Sequence, residues 1–195
     1  MLRIVGLALV AFSLTLIIVS LFRKNEPFFN LRKVVKNHLS LFQNCPSQYI
    51  VFYGFPLLFS IGLSFVYPAG VAFYSELSII LGIFLTMLLA MMSILGSYDF
   101  SKVQDSNQKA KSILVLRQTI NAIMFVVLIC VFLLLFDLII IVLSESSVPA
   151  VLCRLKPIVS GITYYLFFVA ILNFLLIVKQ MNSIIEFNLE VKKGE

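Results

Sequence analysis

Tryptophan is absent from the 195 residues, histidine occurs once, and cysteine only three times. Charged side chains make up 12% of the chain, about half of what a soluble domain carries. Each scarcity removes a class of function. The single histidine, His38, and the scattered Cys45, Cys130 and Cys153 give neither CxxC nor Cys/His ligand spacing, so no structural zinc site and no disulfide framework is expected. No GxSxG, HExxH or phosphate-loop glycine motif occurs, and no pair of carboxylates falls inside an apolar run. The expectation is a chain without enzymatic activity and without a cofactor.

What is abundant is oil. Hydrophobic residues account for 61% of the chain and the mean hydropathy is +1.07. A folded domain of this length buries only part of its surface, so lipid must be the solvent for most of it. Five apolar runs are each long enough to cross a hydrocarbon core, which takes about 20 helical residues. They cover 2–22, 49–66, 77–96, 120–143 and 158–178. Helices satisfy their own backbone hydrogen bonds in lipid, and runs such as Phe132-Leu133-Leu134-Leu135-Phe136 lack the alternation of a membrane β-strand. The fold class expected is an all-α membrane bundle of five spanning helices, or four if the first run does not span. The first run is too long for a signal-peptide core, and no small-x-small cleavage pattern precedes Arg23-Lys24, so a retained helix is expected there. Tyr67-Pro68-Ala69-Gly70 reads as a breaker joining the second and third runs in a tight hairpin. Pro157 stands at the head of the fifth run, where its missing N–H is harmless.

The formal charge of +6 is unevenly placed. Segments 23–48, 97–119 and 179–195 carry five, four and three basic residues, twelve together, whereas Arg3, Arg154 and Lys156 are left for the other side. Lys and Arg concentrate on the cytoplasmic face, so the N-terminus is expected outside and the C-terminal tail inside. Residues 30–42 read as an amphipathic interfacial helix. Leu31, Val34, Val35, Leu39 and Phe42 form its apolar face, and Arg32, Lys33 and Lys36 favour anionic headgroups. No direct nucleic-acid contact is expected from so short a basic patch. Lys109, Lys111 and Arg117 lie on a basic helical extension of the fourth run, and the tail from Lys179 continues helically. These basic surfaces suit either headgroups or a soluble protein partner.

Asp137, within Phe136-Asp137-Leu138 of the fourth run, is the strongest anomaly. An ionised Asp at a helix centre costs about 2.5–3.5 kcal/mol on insertion scales, so it should face protein or a water-filled cavity. Thr163, Tyr164 and Tyr165 of the fifth run lie at matching depth and offer hydroxyl donors, and Arg154 and Lys156 are possible counter-ions. Two readings stand: a proton or cation site, or a carboxyl that packs helices together. Asn173 is a second polar group, for which Ser93 is the expected partner. Ser78, Gly82, Thr86 and Ala90 at four-residue intervals draw a stripe that lets two backbones approach, either within the chain or between copies. Ser60 and Ser64 make a shorter stripe on the second run. Tyr49, Tyr53, Tyr67, Tyr74 and Tyr98 are placed to form interfacial belts in the absence of tryptophan.

Three stretches, Leu81-Gly82-Ile83-Phe84-Leu85-Thr86-Met87-Leu88-Leu89, Arg117-Gln118-Thr119-Ile120-Asn121-Ala122-Ile123 and Leu175-Leu176-Ile177-Val178-Lys179-Gln180-Met181, together resemble the membrane subunit of the Kiwa anti-phage defence system. The resemblance covers residues 77 to 190 and is one of layout. That family carries four membrane helices, one fewer than are read here. The resemblance implies an oligomeric sensor in the bacterial inner membrane, working with a cytosolic, DNA-binding partner.

Overall fold

A computed structural model describes residues 31–40, 42, 46–97, 106–145 and 149–193 of the chain; the first apolar run lies outside them. Five helices follow in order: α1 (Leu31–Ser40), α2 (Pro46–Val66), α3 (Val71–Gly96), α4 (Ser106–Glu145) and α5 (Pro149–Lys193). The last four are long and apolar enough to cross a membrane. Large apolar side chains point outward along them, among them Phe65 at 77% exposure and Leu58 at 69%. That surface is tolerable in lipid and not in water. The protein is a multi-span α-helical membrane protein.

Local chemistry explains the helix boundaries. Pro68 drives Tyr67 out of the helical region (φ −138°, ψ 81°), so α2 ends at Val66. Near its start α2 widens into a π turn at Ile50–Gly54, where the Phe55 N–H reaches back five residues to the Ile50 carbonyl. Pro56 follows directly and brings no N–H of its own, and the wider turn gives its ring room against the preceding turn. Pro149 opens α5, so Pro157 sits inside that helix rather than at its head. There it leaves one carbonyl of the preceding turn without its usual donor.

The hairpin expectation needs correction. α2 and α3 are joined by four residues, yet their backbones do not pack on one another. α3 packs on α4, α4 on α5, and α5 on α2, while α1 lies against α4. The loop 67–70 lies instead against α5, beyond Pro157. It is pinned there by hydrogen bonds from the Ala69 N–H to Ser160 Oγ (2.9 Å) and from the Tyr164 hydroxyl to the Tyr67 carbonyl (2.9 Å). Two main-chain polar groups of an irregular segment are thus satisfied by one helix, as a low-dielectric surrounding requires. The position of α5 between α2 and α3 follows.

The core has a coiled-coil period. On α4 the buried residues Ile123, Val126, Cys130, Leu133, Asp137 and Ile140 alternate by three and four, and on α5 Thr163, Ala170, Ile177 and Ile184 fall seven apart. This is the knobs-into-holes spacing of left-handed helix packing. α3 contributes Leu77, Leu81, Leu88 and Leu95 to the same core. Phe73 and Phe84 reach across to Tyr164 and Phe174 of α5 at ring separations of 5.2 and 4.8 Å. The shorter small-residue stripe is the one used within the chain. Ser60 and Ser64 of α2 are buried against α5, where a Cβ at Gly161 would meet Ser64 Oγ at 3.5 Å. The longer stripe faces away from the other described helices: Gly82, Thr86 and Ala90 are exposed, Ser78 is partly buried, and a Cβ at Gly82 would meet nothing within 4 Å among the described residues.

The α2–α5 contact gives a graded expectation. Gly161→Ala adds a methyl at ordinary contact distance and should leave thermal stability in detergent nearly unchanged. Gly161→Leu should force the helices apart at a cost of about 1–3 kcal/mol, typical of overpacking. Equal melting temperatures for the two variants would show that the contact does not constrain the fold.

Candidate functional site

Two buried polar groups lie at opposite ends of the core. The first is at the end carrying the basic residues. On α1, His38 completes the stripe formed by Leu31, Val34, Val35 and Phe42, because it stands three or four residues from its neighbours on that face. It is fully buried. Its ring stacks on Phe125 of α4 (centroids 4.0 Å apart, planes 9°) and meets Phe42 edge-on at 5.4 Å. Asn173 Nδ2 donates to the Val169 carbonyl at 2.8 Å, which leaves Oδ1 as an acceptor. His38 Nε2 lies 2.8 Å from that oxygen and so carries the hydrogen. Nδ1 is buried without a partner.

The segment read as 30–42 is seen as the short helix α1, Leu31–Ser40. The described part of that segment docks on the bundle, and its only ring nitrogen bond enters a spanning helix. Asn30, read as its cap, lies outside the described residues. Ser93, expected to serve Asn173, is exposed on α3. Burial pushes the His38 imidazole down from 6.5 to about 4, against the smaller opposing effect of the Asn173 bond.

The second group is Asp137, fully buried and set in the heptad seam of α4. Neither carboxylate oxygen has a hydrogen-bond partner among the described residues. Ser78 of α3 is the nearby hydroxyl, and its hydrogen goes to the Tyr74 carbonyl at 2.9 Å. Tyr74, also on α3, is buried rather than interfacial. It lies within electrostatic reach of Asp137, and its hydroxyl approaches Ser160 and Thr163. Thr163 is buried at this level, but its hydroxyl donates to the Val159 carbonyl at 3.1 Å. The donors expected for the carboxylate thus point elsewhere. Tyr164 serves Tyr67, and Tyr165 lines a cleft of about 350 Å³ between α2 and α5 together with Ser60, Ser64 and Gly161. Lys156 is exposed near the start of α5, and the Arg154 side chain lies outside the described ones. A crevice of about 370 Å³ opens between α3, α4 and α5 at this end, bordered by Ala69, Tyr74, Phe136, Ile140, Ser144 and Lys156.

Arg32, Lys33 and Lys36 are exposed on α1, Arg117 is exposed on α4, and Lys109 is partly buried there. Because α1 packs against α4, these residues share one end of the molecule. The Lys111 side chain lies outside the described ones. Among the described residues no His, Cys, Asp and Glu cluster could hold a metal ion, and Cys130 is a buried free thiol. Comparison with family models, with curated proteins and with solved structures gives no match.

The His38 contact predicts a pH dependence with a defined sign. A histidine whose docked form resists protonation supports docking fully above its free value of 6.5, and loses that support as the pH falls toward about 4. The hydrogen-exchange protection of α1, taken relative to the intrinsic base-catalysed rate, should therefore be constant above pH 6.5 and fall below it. His38→Phe should abolish the dependence. In a double-mutant cycle with Asn173→Ala, coupling of about 0.5–3 kcal/mol is expected for a contacting buried pair; additive effects would disprove the bond.

Proposed function

We propose that the protein is a non-enzymatic membrane subunit that registers a change at or in the membrane and passes it to a soluble partner at its basic, cytoplasmic end. The observation that carries this reading is length. α4 and α5 have 40 and 45 residues, or about 60 and 68 Å at 1.5 Å per residue, roughly twice a hydrocarbon core of about 30 Å. The excess at the basic end is continuous with the spanning helices, so a displacement inside the membrane is carried outward without an intervening hinge. α1 adds Arg32, Lys33 and Lys36 beside Arg117 at that end. The orientation follows the positive-inside rule. The resemblance to the Kiwa membrane subunit points the same way and adds its setting: a bacterial inner membrane, phage infection as the event, and a homo-oligomeric assembly. The outward-facing stripe of Gly82, Thr86 and Ala90 suits contact between copies.

A second reading, a small channel or carrier with Asp137 as its ion or proton site, is favoured by the burial of that carboxyl without a partner. Ion flux through purified protein in liposomes separates the two. The coupling reading expects no flux.

Purification from native membranes in mild detergent tests the coupling reading directly. A single stoichiometric soluble protein should be retained at low salt and released as ionic strength rises, since exposed charges are screened beyond about 8–10 Å near physiological salt. Lys36→Glu combined with Arg117→Glu should release it at low salt as well. Recovery of the chain alone at every salt concentration would sink the proposal.

A further inference from the structure

Around Asp137 the hydroxyls of Ser78, Thr163 and Ser160 each bond a main-chain carbonyl four residues back on their own helix. Ser78 gives its hydrogen to the Tyr74 carbonyl (2.9 Å), Thr163 to the Val159 carbonyl (3.1 Å) and Ser160 to the Lys156 carbonyl (2.7 Å). Ser160 Oγ additionally accepts from the Ala69 N–H. The Tyr74 hydroxyl approaches Ser160 and Thr163 rather than the carboxylate. Asp137 is thus left without a hydrogen-bond partner among the described residues, with Ser78 the hydroxyl beside it. An unpaired carboxylate in an apolar interior is costly, and a carboxylic acid in the same place is far less so, because it carries no charge and its O–H can use a lone pair of a neighbouring hydroxyl such as Ser78. Among the described side chains, the titratable and charged groups that face this region are few. They are Tyr74 on α3, Tyr164 and Lys156 on α5, and Tyr67 on the connecting loop. The tyrosines carry no charge to balance an anion, and Lys156 stands exposed at the rim of the crevice.

We propose that Asp137 is a proton-binding site, whose acid form donates to Ser78 Oγ and ties α4 to α3 at the end of the core opposite the basic residues. The exchange is a simple one: the carboxylate gains a proton that solvent hydronium gives up, leaving the carboxylic acid and water. Tyr74 borders the crevice and lies within electrostatic reach of Asp137. On the other side of Asp137, Leu81, Leu133, Val126 and Leu88 are all buried and form apolar layers that close the way to the basic end. The arrangement in one chain is that of a site loaded from one face, not of a path through the membrane. A proton rather than a metal cation is proposed because Asp137 does not border the crevice and is packed without exposed surface, which leaves no space for an ion with its own ligands. The role of this proton as the trigger rests on the coupling function proposed above; its binding does not.

Infrared spectroscopy of the full chain in liposomes tests the site. At neutral pH a protonated-carboxyl C=O band should be present, shift in D₂O, vanish in Asp137→Asn, and move in Ser78→Ala because its hydrogen-bond acceptor is gone. On alkalinisation the wild-type band should disappear as one proton leaves and thermal unfolding should shift to lower temperature, while Asp137→Asn stays flat across the same range. Absence of the band at neutral pH, or its persistence in Asp137→Asn, overturns the proposal. Stabilisation by sodium chloride but not choline chloride at fixed pH, abolished in Asp137→Asn, overturns it in favour of a bound cation. If Asp137→Asn does not fold, the wild-type band, its isotope shift and the Ser78→Ala displacement decide the matter. Partner recovery is scored separately. The band without a partner leaves the proton site standing and removes the coupling reading, and a partner without the band does the reverse.

Discussion

Hydrogen bonds that cross between elements at both ends of the molecule end on α5. Ser160 and Tyr164 hold the loop 67–70 at one end, and Asn173 holds His38 of α1 at the other. In hydrocarbon an unmatched polar group costs several kcal/mol, so these contacts set where the loop and α1 must lie. The rest of the arrangement follows from them. α2 and α3 are kept on either side of α5, and α1 is drawn onto α4 beside Phe125.

The apolar core supplies packing rather than address. Leu77, Leu81, Ile123, Leu133 and Ile177 interlock at coiled-coil spacing, but the outward faces of the same helices are equally apolar. In a membrane, burying a leucine against protein instead of lipid gains little from hydrophobicity. Specificity must come from shape and from the few polar groups. That is why the serines at 60 and 64 matter where they meet Gly161, and why Asp137 stands out on a seam otherwise made of Val, Ile, Leu and Cys.

The solvent, the four described spans and the presence of Asp137 inside an apolar run were legible from composition and run length. The partners of the polar groups were not. His38 lies 135 residues from Asn173, and no local pattern announces such a pair. Its position three or four residues from Val35, Val34 and Phe42 was nonetheless a signal that it belongs to the buried face. The hairpin expectation failed because a four-residue connection guarantees only that two helix ends are close. The hydrogen-bonding capacity of Ser160 and Tyr164 decides that the helices diverge. The stripe at Gly82, Thr86 and Ala90 and the pair at Ser60 and Ser64 looked alike in sequence, yet among the described helices only the shorter one finds a partner. Small residues permit close approach without selecting the neighbour.

The strap formed by residues 67–70 has a consequence for biosynthesis. Chains emerge from the N-terminus, so α2 and α3 are inserted while the helix that separates them has not yet been made. The loop's Ala69 N–H and Tyr67 carbonyl then lack the side chains that later satisfy them. Only when α5 arrives, last of the described helices, does it slot between its two predecessors beneath the strap and become the anchor for α1. Every earlier intermediate is an open assembly, and the final helix acts as the keystone that closes it.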